Sequence, residues 1–183
     1  GEGPHLVVHQ PDDVLESMSE WCTQHHGQSG LAAAVRASSV RLADAEVKGA
    51  VIKARMIDPR EMKLNLNILL DNRSMAMSFI NTGVPHAVCV VPSLKDVDVE
   101  KTGRAIRTHE YFHPRGTNSN FIQFHLGNAI EIRTYDRGVE GETLSCGTGS
   151  TAGALVAAAE RGLRSPVSVK TKSGETLKIY FSK

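Results

Sequence analysis

The pattern of apolar and polar residues predicts a chain made mostly of β-strands. Alternation of the two classes is typical of a strand with one buried face, because successive side chains point to opposite sides of a sheet. Turn signals at Asp71-Asn72-Arg73, Gly127-Asn128 and Ser173-Gly174 separate pairs of such segments and predict hairpins. Alternating stretches or short apolar runs predict strands at 7–8, 31–35, 40–42, 46–48, 51–56, 62–68, 75–80, 87–91, 121–126, 130–135, 167–172 and 177–181.

Three segments are predicted to be helical. Pro11-Asp12-Asp13 is a helix start signal, and apolar residues then recur at a spacing of three to four up to Cys22. The second predicted helix covers 96–108. The third, 150–161, is rich in alanine and carries no charge before its last two residues, so it is apolar on nearly every face. A helix of that kind is usually buried inside a protein.

Composition and charge exclude several classes of protein. The chain has 183 residues, of which 40% are apolar and 22% charged, which suits one ordinary domain or two small ones sharing a core. A formal net charge of +1 argues against polyanion binding driven by bulk charge, and 5% aromatic residues argue against a stacking platform for nucleic acid. We therefore expect no nucleic-acid partner. No apolar run approaches the length of a membrane span, so no membrane partner is expected either.

The cysteines and histidines favour a metal-free protein of a reducing compartment. Cys22, Cys89 and Cys146 are odd in number, far apart and in no C-x-x-C pair, so neither a disulfide framework nor a structural zinc site is expected. Cys89 lies in an apolar strand and is expected in the core. His25-His26 has no third ligand at metal-binding spacing and is expected in a solvated loop. We expect a cytoplasmic protein with no visible signal peptide.

Cys146 lies where a polar loop becomes the apolar helix. The first N–H groups of a helix have no partner within it, and the helix dipole adds partial positive charge there, which predicts a lowered thiol pKa. Gly147 and Gly149 let a ligand approach the backbone, so the same N–H groups could seat a carboxylate. An inert buried cysteine at an ordinary helix entry fits this pattern equally well.

Three further positions carry candidate chemistry. Asp136-Arg137 ends a predicted strand and could hold an ammonium and a carboxylate; a surface ion pair is the alternative. His86 follows a glycine-bearing turn and could act as a general base, or be structural. Asn118 enters a predicted strand and could donate to a ligand carboxylate, or cap an Asx turn.

Four stretches together resemble the second half of diaminopimelate epimerase. Weaker likeness reaches back to about Leu31, so the resemblance covers 31–183 as one domain and leaves 1–30 as an unassigned segment, a possible remnant of a first domain. The stretches, in chain order, are NTGVPHAV (81–88), GRAIR (103–107), FHPRGTNSNF (112–121) and RTYDRGVEGETLSCGTGSTA (133–152).

The resemblance implies a fold and a reaction. Members of that family have two pseudo-symmetric domains, each an α+β unit in which a mixed, mostly antiparallel sheet wraps around a central buried helix. They interconvert LL- and meso-diaminopimelate without pyridoxal phosphate, metal or any other cofactor. One cysteine thiolate removes the α-proton, and a thiol from the other domain returns a proton on the opposite face. The implied setting is the biosynthesis of lysine.

The resemblance also assigns roles to three candidate catalytic residues. Cys146 matches the cysteine of the second domain. Asp136 falls where most members have a glutamate that binds the α-ammonium and tunes this thiol, with a side chain one carbon shorter. His86 matches the histidine beside the first-domain cysteine.

The remaining assignments concern substrate binding. Gly147 and Thr148 match the backbone donors to the α-carboxylate, and Asn118 and Arg137 match groups that hold the distal end of the substrate. Val84 stands where many members have a substrate-binding asparagine, so that contact is not carried over.

The chain departs from the family in its first thiol. The Cys-Gly-Asn-Gly sequence that carries it is absent, and Cys22 is followed by Thr23-Gln24-His25 instead. We therefore expect half of a two-thiol site, completed by a missing first domain or by a second copy in a homodimer. Two alternatives stay open: a catalytically dead relative that binds an amino-acid-like ligand or a partner, and a cofactor-independent racemase of another amino acid.

Overall fold

The computed structural model describes residues 5–9, 42–48 and 51–182. The helix predicted after Pro11, the His25-His26 loop and the strand predicted at 31–35 lie outside the described residues. In the part of the chain that is described, no helix is long and apolar enough to cross a membrane.

The described residues form one continuous sheet of eleven strands. The strands are β1 (His5–His9), β2 (Leu42–Lys48), β3 (Val51–Met56), β4 (Arg60–Leu70), β5 (Arg73–Asn81), β6 (Pro85–Val90), β7 (Asn118–His125), β8 (Ala129–Asp136), β9 (Gly141–Thr143), β10 (Val167–Lys170) and β11 (Thr176–Tyr180). Their order in space is β2-β3-β1-β11-β10-β8-β7-β6-β5-β4, with β9 on β8. The β6–β7 and β8–β10 pairs are parallel and the other pairs antiparallel, which confirms the predicted α+β class with a mixed, mostly antiparallel sheet.

Two α-helices lie within the described residues. Helix α1 covers Val99–Arg107 and helix α2 covers Gly147–Arg161. The prediction placed the start of α1 three residues too early, because Asp98 caps the helix and accepts the N–H of Lys101 at 3.0 Å. Residues Leu94–Asp96 and Glu110–Phe112 form short 3-10 turns on either side.

Helix α2 is the centre of the larger core, as its apolar composition predicts. Residues 148–157 are all buried, and the sheet surrounds them with apolar side chains from β5 to β8, β10 and β11. Gly153 allows close packing of α2 on the sheet, because a Cβ there would lie 3.2 Å from Ile122 and Ile132. Each large apolar side chain buried in this way contributes about 1.5–3 kcal/mol to folding.

Helix α1 packs on the other face of the same strands. Strand residues alternate between the two cores: Val88 faces α2, whereas Ala87 and Cys89 belong to the core near α1. Gly103 of α1 lies directly on Tyr135, where a Cβ would meet the ring side chain at 2.4 Å. Cys89 is fully buried, as predicted, and burial raises the pKa of its thiol to about 12.

Strand β4 is the last strand of the sheet as described, and it is irregular. Glu61 and Asn65 have φ of 56° and 57°, in the left-handed region. The pairing with β5 shifts between Arg60 and Lys63, and again before Leu66. The outer edge of the sheet is therefore bulged twice.

Candidate active site

A short return strand brings Cys146 back to the end of β8. Strand β9 pairs antiparallel with β8, with Gly141 opposite Asp136 and Thr143 opposite Thr134. The chain then runs directly into α2, and the Cys146 thiol donates to Asp136 Oδ2 at 3.9 Å. Three residues are too few to show alternation, so sequence analysis left this strand inside a loop.

An ion-pair cluster around Glu142 holds β9 in place. Arg133 forms a two-pronged contact with the Glu142 carboxylate at 2.7 and 2.8 Å, and Lys172 Nζ donates to the same group at 2.7 Å. Arg133 also donates to the Leu94 carbonyl at 2.8 Å. Burial alone would raise the pKa of Glu142, but hydrogen bonds and charge from Arg133 and Lys172 lower it overall.

Cys146 is the N-cap residue of α2. Its backbone is extended, with φ of −140° and ψ of 109°. The sulfur accepts the N–H of Gly149 at 3.4 Å and lies 3.4 Å from Thr148 Oγ1. Cys146 is therefore a half-buried residue whose sulfur lies at the positive end of the helix, as the sequence pattern indicates.

The prediction of a lowered pKa for Cys146 is wrong for this arrangement. Burial of the thiol raises its pKa, and the Asp136 carboxylate raises it further. Hydrogen bonds from Thr148 and Gly149 act in the opposite direction but are outweighed. Cys146 is therefore held as a thiol, a proton donor, near neutral pH.

The first turn of α2 presents backbone donors. By their position, the N–H groups of Gly147 and Thr148 have no partner within the helix, so they can donate hydrogen bonds to a bound anion. Thr82 fixes this turn by donating its hydroxyl to the Thr148 carbonyl at 3.0 Å. Gly149 lies so close to Asn120 that a Cβ on Gly149 would be only 2.5 Å from Asn120 Oδ1.

Asp136, Arg137 and Asn118 form a linked group beside the thiol. The Arg137 N–H donates to Asn118 Oδ1 at 2.8 Å, and its Nη1 donates to the Arg115 carbonyl at 3.0 Å. Asp136 Oδ1 accepts the Gly138 N–H at 2.7 Å, which turns Oδ2 toward Cys146. The Asp136 carboxylate is thus held beside the thiol, and the Arg137 guanidinium is held by the Arg115 carbonyl.

His86 is fully buried and lies opposite Asn118 in the β6–β7 pair. Its Nδ1 is 3.0 Å from Asn120 Nδ2, and its Nε2 has no partner among the described residues. Burial lowers the pKa of His86 to about 3; the contact with Asn120 raises the pKa but is outweighed, and the charge of Arg137 lowers it slightly further. A neutral imidazole with so low a pKa is a poor base near pH 7, so His86 is better suited to donate a hydrogen bond than to remove a proton.

The seven predicted site residues form two groups. Cys146, Gly147 and Thr148 begin α2, with Asp136 against the Cys146 thiol. Asn118 accepts from Arg137 and lies opposite His86. Two residues that sequence analysis missed, Asn120 and Thr82, contact these groups. The sequence does hold a signal for Asn120, because it lies two residues after Asn118 and a spacing of two places both on one face of a strand. Thr82 has no such signal, since its contact with α2 is long-range.

The family model "Diaminopimelate epimerase" matches residues 78–181. A diaminopimelate epimerase of Aquifex aeolicus strain VF5 is 46% identical over 149 residues, covering 75% of this chain and 53% of that protein. One of Methanothrix thermoacetophila is 50% identical over 106 residues, covering 58% and 36% respectively. The chain spans about half the length of the curated relatives it matches.

One solved structure supports the fold independently of close sequence likeness. The "probable proline racemase" of Agrobacterium radiobacter K84 superposes with a TM-score of 0.51 at 14% identity. The match covers 74% of this chain and 52% of that one.

Proposed function

Because the chain belongs to the diaminopimelate epimerase family, we propose that it carries the second-thiol half of a site that interconverts LL- and meso-diaminopimelate. The observation that carries this proposal is the Cys146 thiol, capping a buried helix and donating to Asp136 Oδ2 at 3.9 Å. One group that moves a proton thus lies beside a carboxylate able to bind the substrate ammonium and backbone N–H groups able to bind its carboxylate.

Cys146 acts on one face of the substrate α-carbon. As a thiol it gives its proton to the planar carbanion and becomes a thiolate; in the reverse direction the thiolate removes the α-proton. Besides burial, the charge of Asp136 raises the pKa of the Cys146 thiol. A substrate ammonium that pairs with Asp136 neutralises that charge, so substrate binding favours the thiolate that removes the α-proton. Inversion needs a second acid and base on the opposite face, and that is the role of the first-domain thiol.

The substrate is held at both ends. Gly147 and Thr148 N–H groups take the α-carboxylate, and Asp136 takes the α-ammonium. Asn118 Oδ1 already accepts from Arg137, which leaves the amide Nδ2 and the remaining guanidinium donors for the distal end of the substrate. The neutral His86 donates Nε2–H toward the first-domain side of the site. The reaction needs no metal or other cofactor.

The half of the site that carries the first thiol would also cover apolar surface beside Cys146. Leu144 is 64% exposed and Val139 is 67% exposed, on either side of β9. We propose that a first domain, or a second copy of this chain, packs on them. Concentration-dependent mass in light scattering would support this; a constant monomer mass together with no binding of a hydrophobic dye would count against it.

The test is α-proton exchange in D2O with LL- and meso-diaminopimelate, followed by NMR. Exchange with inversion would establish the epimerase and a second acid on this chain or its copy. Exchange without inversion would identify half of a two-thiol site. No exchange in the unmodified chain would overturn the catalytic proposal and favour a dead relative that binds an amino-acid-like ligand or partner.

Single substitutions test whether the Cys146 thiol carries out the exchange. Cys146→Ala should abolish exchange, and Asp136→Asn should slow it at least about tenfold, because a charged hydrogen bond of roughly 1.5–3 kcal/mol to the ammonium is lost. Cys22→Ala is the matched control: it should leave exchange intact, and should remove inversion only if Cys22 is the second acid.

A second candidate is a cofactor-independent racemase of another amino acid. Val84 stands where the resemblance places an asparagine, and Asp136 reaches one carbon less far than glutamate. Both changes would alter the fit of diaminopimelate. Faster exchange with an amino acid that lacks a polar distal end would favour this candidate, since Asn118 and Arg137 would then contribute nothing.

A further inference from the structure

Asn120 connects the two sides of the candidate site. It lies on β7 with its side chain fully buried. Its Nδ2 is 3.0 Å from both His86 Nδ1 and the Ala87 carbonyl, and its Oδ1 accepts the Thr134 hydroxyl at 3.0 Å. Every polar atom of this amide is therefore used inside the protein.

The contacts of Asn120 determine which end of its side-chain amide is the oxygen and which is the nitrogen. The Ala87 carbonyl can only accept, so the amide atom facing it must be the NH2 group. The same NH2 group faces His86 Nδ1, and its second hydrogen points there. Nδ1 must then be the acceptor, which leaves the ring hydrogen on Nε2.

His86 Nε2–H consequently has no partner among the described residues although it is buried. A buried donor without a partner carries a free-energy cost. The ring cannot remove that cost by releasing its proton to become an acceptor at Nε2, because Asn120 offers Nδ1 a donor. The position of the Asn120 amide therefore leaves His86 with a free Nε2–H donor in the folded protein.

Asn120 also lies against the helix that carries Cys146. Its Oδ1 occupies the space that a side chain at Gly149 would need. Gly149 in turn donates its N–H to the Cys146 sulfur at 3.4 Å. One amide therefore sets the orientation of His86 and limits the position of the first turn of α2.

We propose that Asn120 is a positioning residue of the site: it holds His86 as a neutral Nε2–H donor and fixes that donor relative to Cys146. The part of this proposal that concerns catalysis rests on the proposed function, because His86 lies beside reacting groups only if this site acts on the substrate. The part that concerns the imidazole itself does not depend on activity.

The test is the tautomer of His86, read from ¹⁵N NMR of the full chain labelled at histidine. The unmodified protein should show hydrogen on Nε2 and none on Nδ1 from pH 5 to 8. A hydrogen on Nδ1, or titration near the ordinary histidine value of about 6.5, would overturn the proposal. This result needs no variant and no substrate.

Asn120→Asp sharpens the test. A carboxylate cannot donate to Nδ1, so His86 should gain a hydrogen there, as the other tautomer or as imidazolium. Gln123→Glu is the matched control on the same strand: Gln123 Oε1 accepts the Leu94 N–H at 2.9 Å, a contact that a carboxylate retains. His86 resonances should be unchanged in the control. A folded Asn120→Asp protein with unchanged His86 resonances would overturn the proposal.

Exchange kinetics separate this proposal from the proposed function. If the unmodified chain exchanges the α-proton, Asn120→Ala should lower kcat by about 100-fold with little change in KM, because orientation rather than binding is lost. A loss confined to KM would overturn the positioning role. Nε2–H in a protein that exchanges no proton would refute the proposed function but leave the tautomer assignment standing.

Discussion

Cys146 illustrates how the setting of a thiol can reverse what its position in sequence indicates. The helix N-terminus favours a thiolate, and two hydrogen bonds to the sulfur act in the same direction. Burial and the Asp136 carboxylate outweigh them and raise the thiol pKa. The competing groups come from different elements, so only their arrangement in space decides the result.

Alkylation should report this balance. We expect Cys146 to react with iodoacetamide more slowly near neutral pH than a free small-molecule thiol, because less of it is thiolate. Asp136→Asn should speed the reaction, since removing the carboxylate lowers the thiol pKa. Rates at the Cys146 peptide can be followed by mass spectrometry over pH 6–10.

Cys89 provides an internal control for that measurement. It is fully buried with a pKa raised to about 12, so it should stay unmodified while the protein is folded. An Asp136→Asn protein alkylated at Cys146 no faster than the unmodified chain would contradict the role given to the carboxylate.

At the level of the elements, α2 is well specified by sequence and its surroundings are not. Its lack of charge predicts burial, although the helix begins at Gly147, three residues before the predicted start at Ser150. Strand β9, by contrast, is too short for a periodic pattern and forms because β8 is there to pair with. The contact between Gly149 and Asn120 joins residues far apart in the chain, which no local pattern reveals.

Gly149→Ala should destabilise the chain by about 1–3 kcal/mol. The added methyl group overlaps Asn120 Oδ1, whose own hydrogen bonds prevent it from moving away. Gly141→Ala is the matched control, because a Cβ there meets its nearest neighbour at an ordinary 3.6 Å. Urea unfolding measures both, and equal stability of the two variants would contradict the predicted clash.

Across the whole molecule, one sheet joins segments from both ends of the chain. β1 pairs with β3 and β11, so part of the N-terminal segment 1–30 lies in the same sheet as the rest. The division at residue 30, which came from the resemblance, stays a prediction. Most strands, the hairpin turns and the buried helix were predictable from local patterns, whereas β9 was not. The pairing of β1 with β11 is set by long-range contacts that a single sequence does not display.

The stability of the whole chain should depend on Glu142 in acid. Its pKa is lowered in the folded state, so its contribution is present above the ordinary carboxyl value of about 4.3 and is lost as pH falls through the folded value. Glu142→Gln should cost about 2 kcal/mol at pH 7 and less at pH 3. Thermal unfolding across this range measures the difference.

Glu131→Gln is the control for that comparison. Glu131 pairs with His125 and Lys170 at the surface, where ion pairs contribute only about 0–1 kcal/mol. A loss for Glu142→Gln that is the same at pH 3 and pH 7 would contradict the ionic role of this group.

The two bulges of β4 affect how the chain meets its neighbours in a crowded solution. A regular outer strand offers an uninterrupted row of N–H and C=O groups, which another chain can extend into a fibril. The left-handed residues Glu61 and Asn65 break that row into short, out-of-phase pieces. Templated addition at this edge is thereby disfavoured.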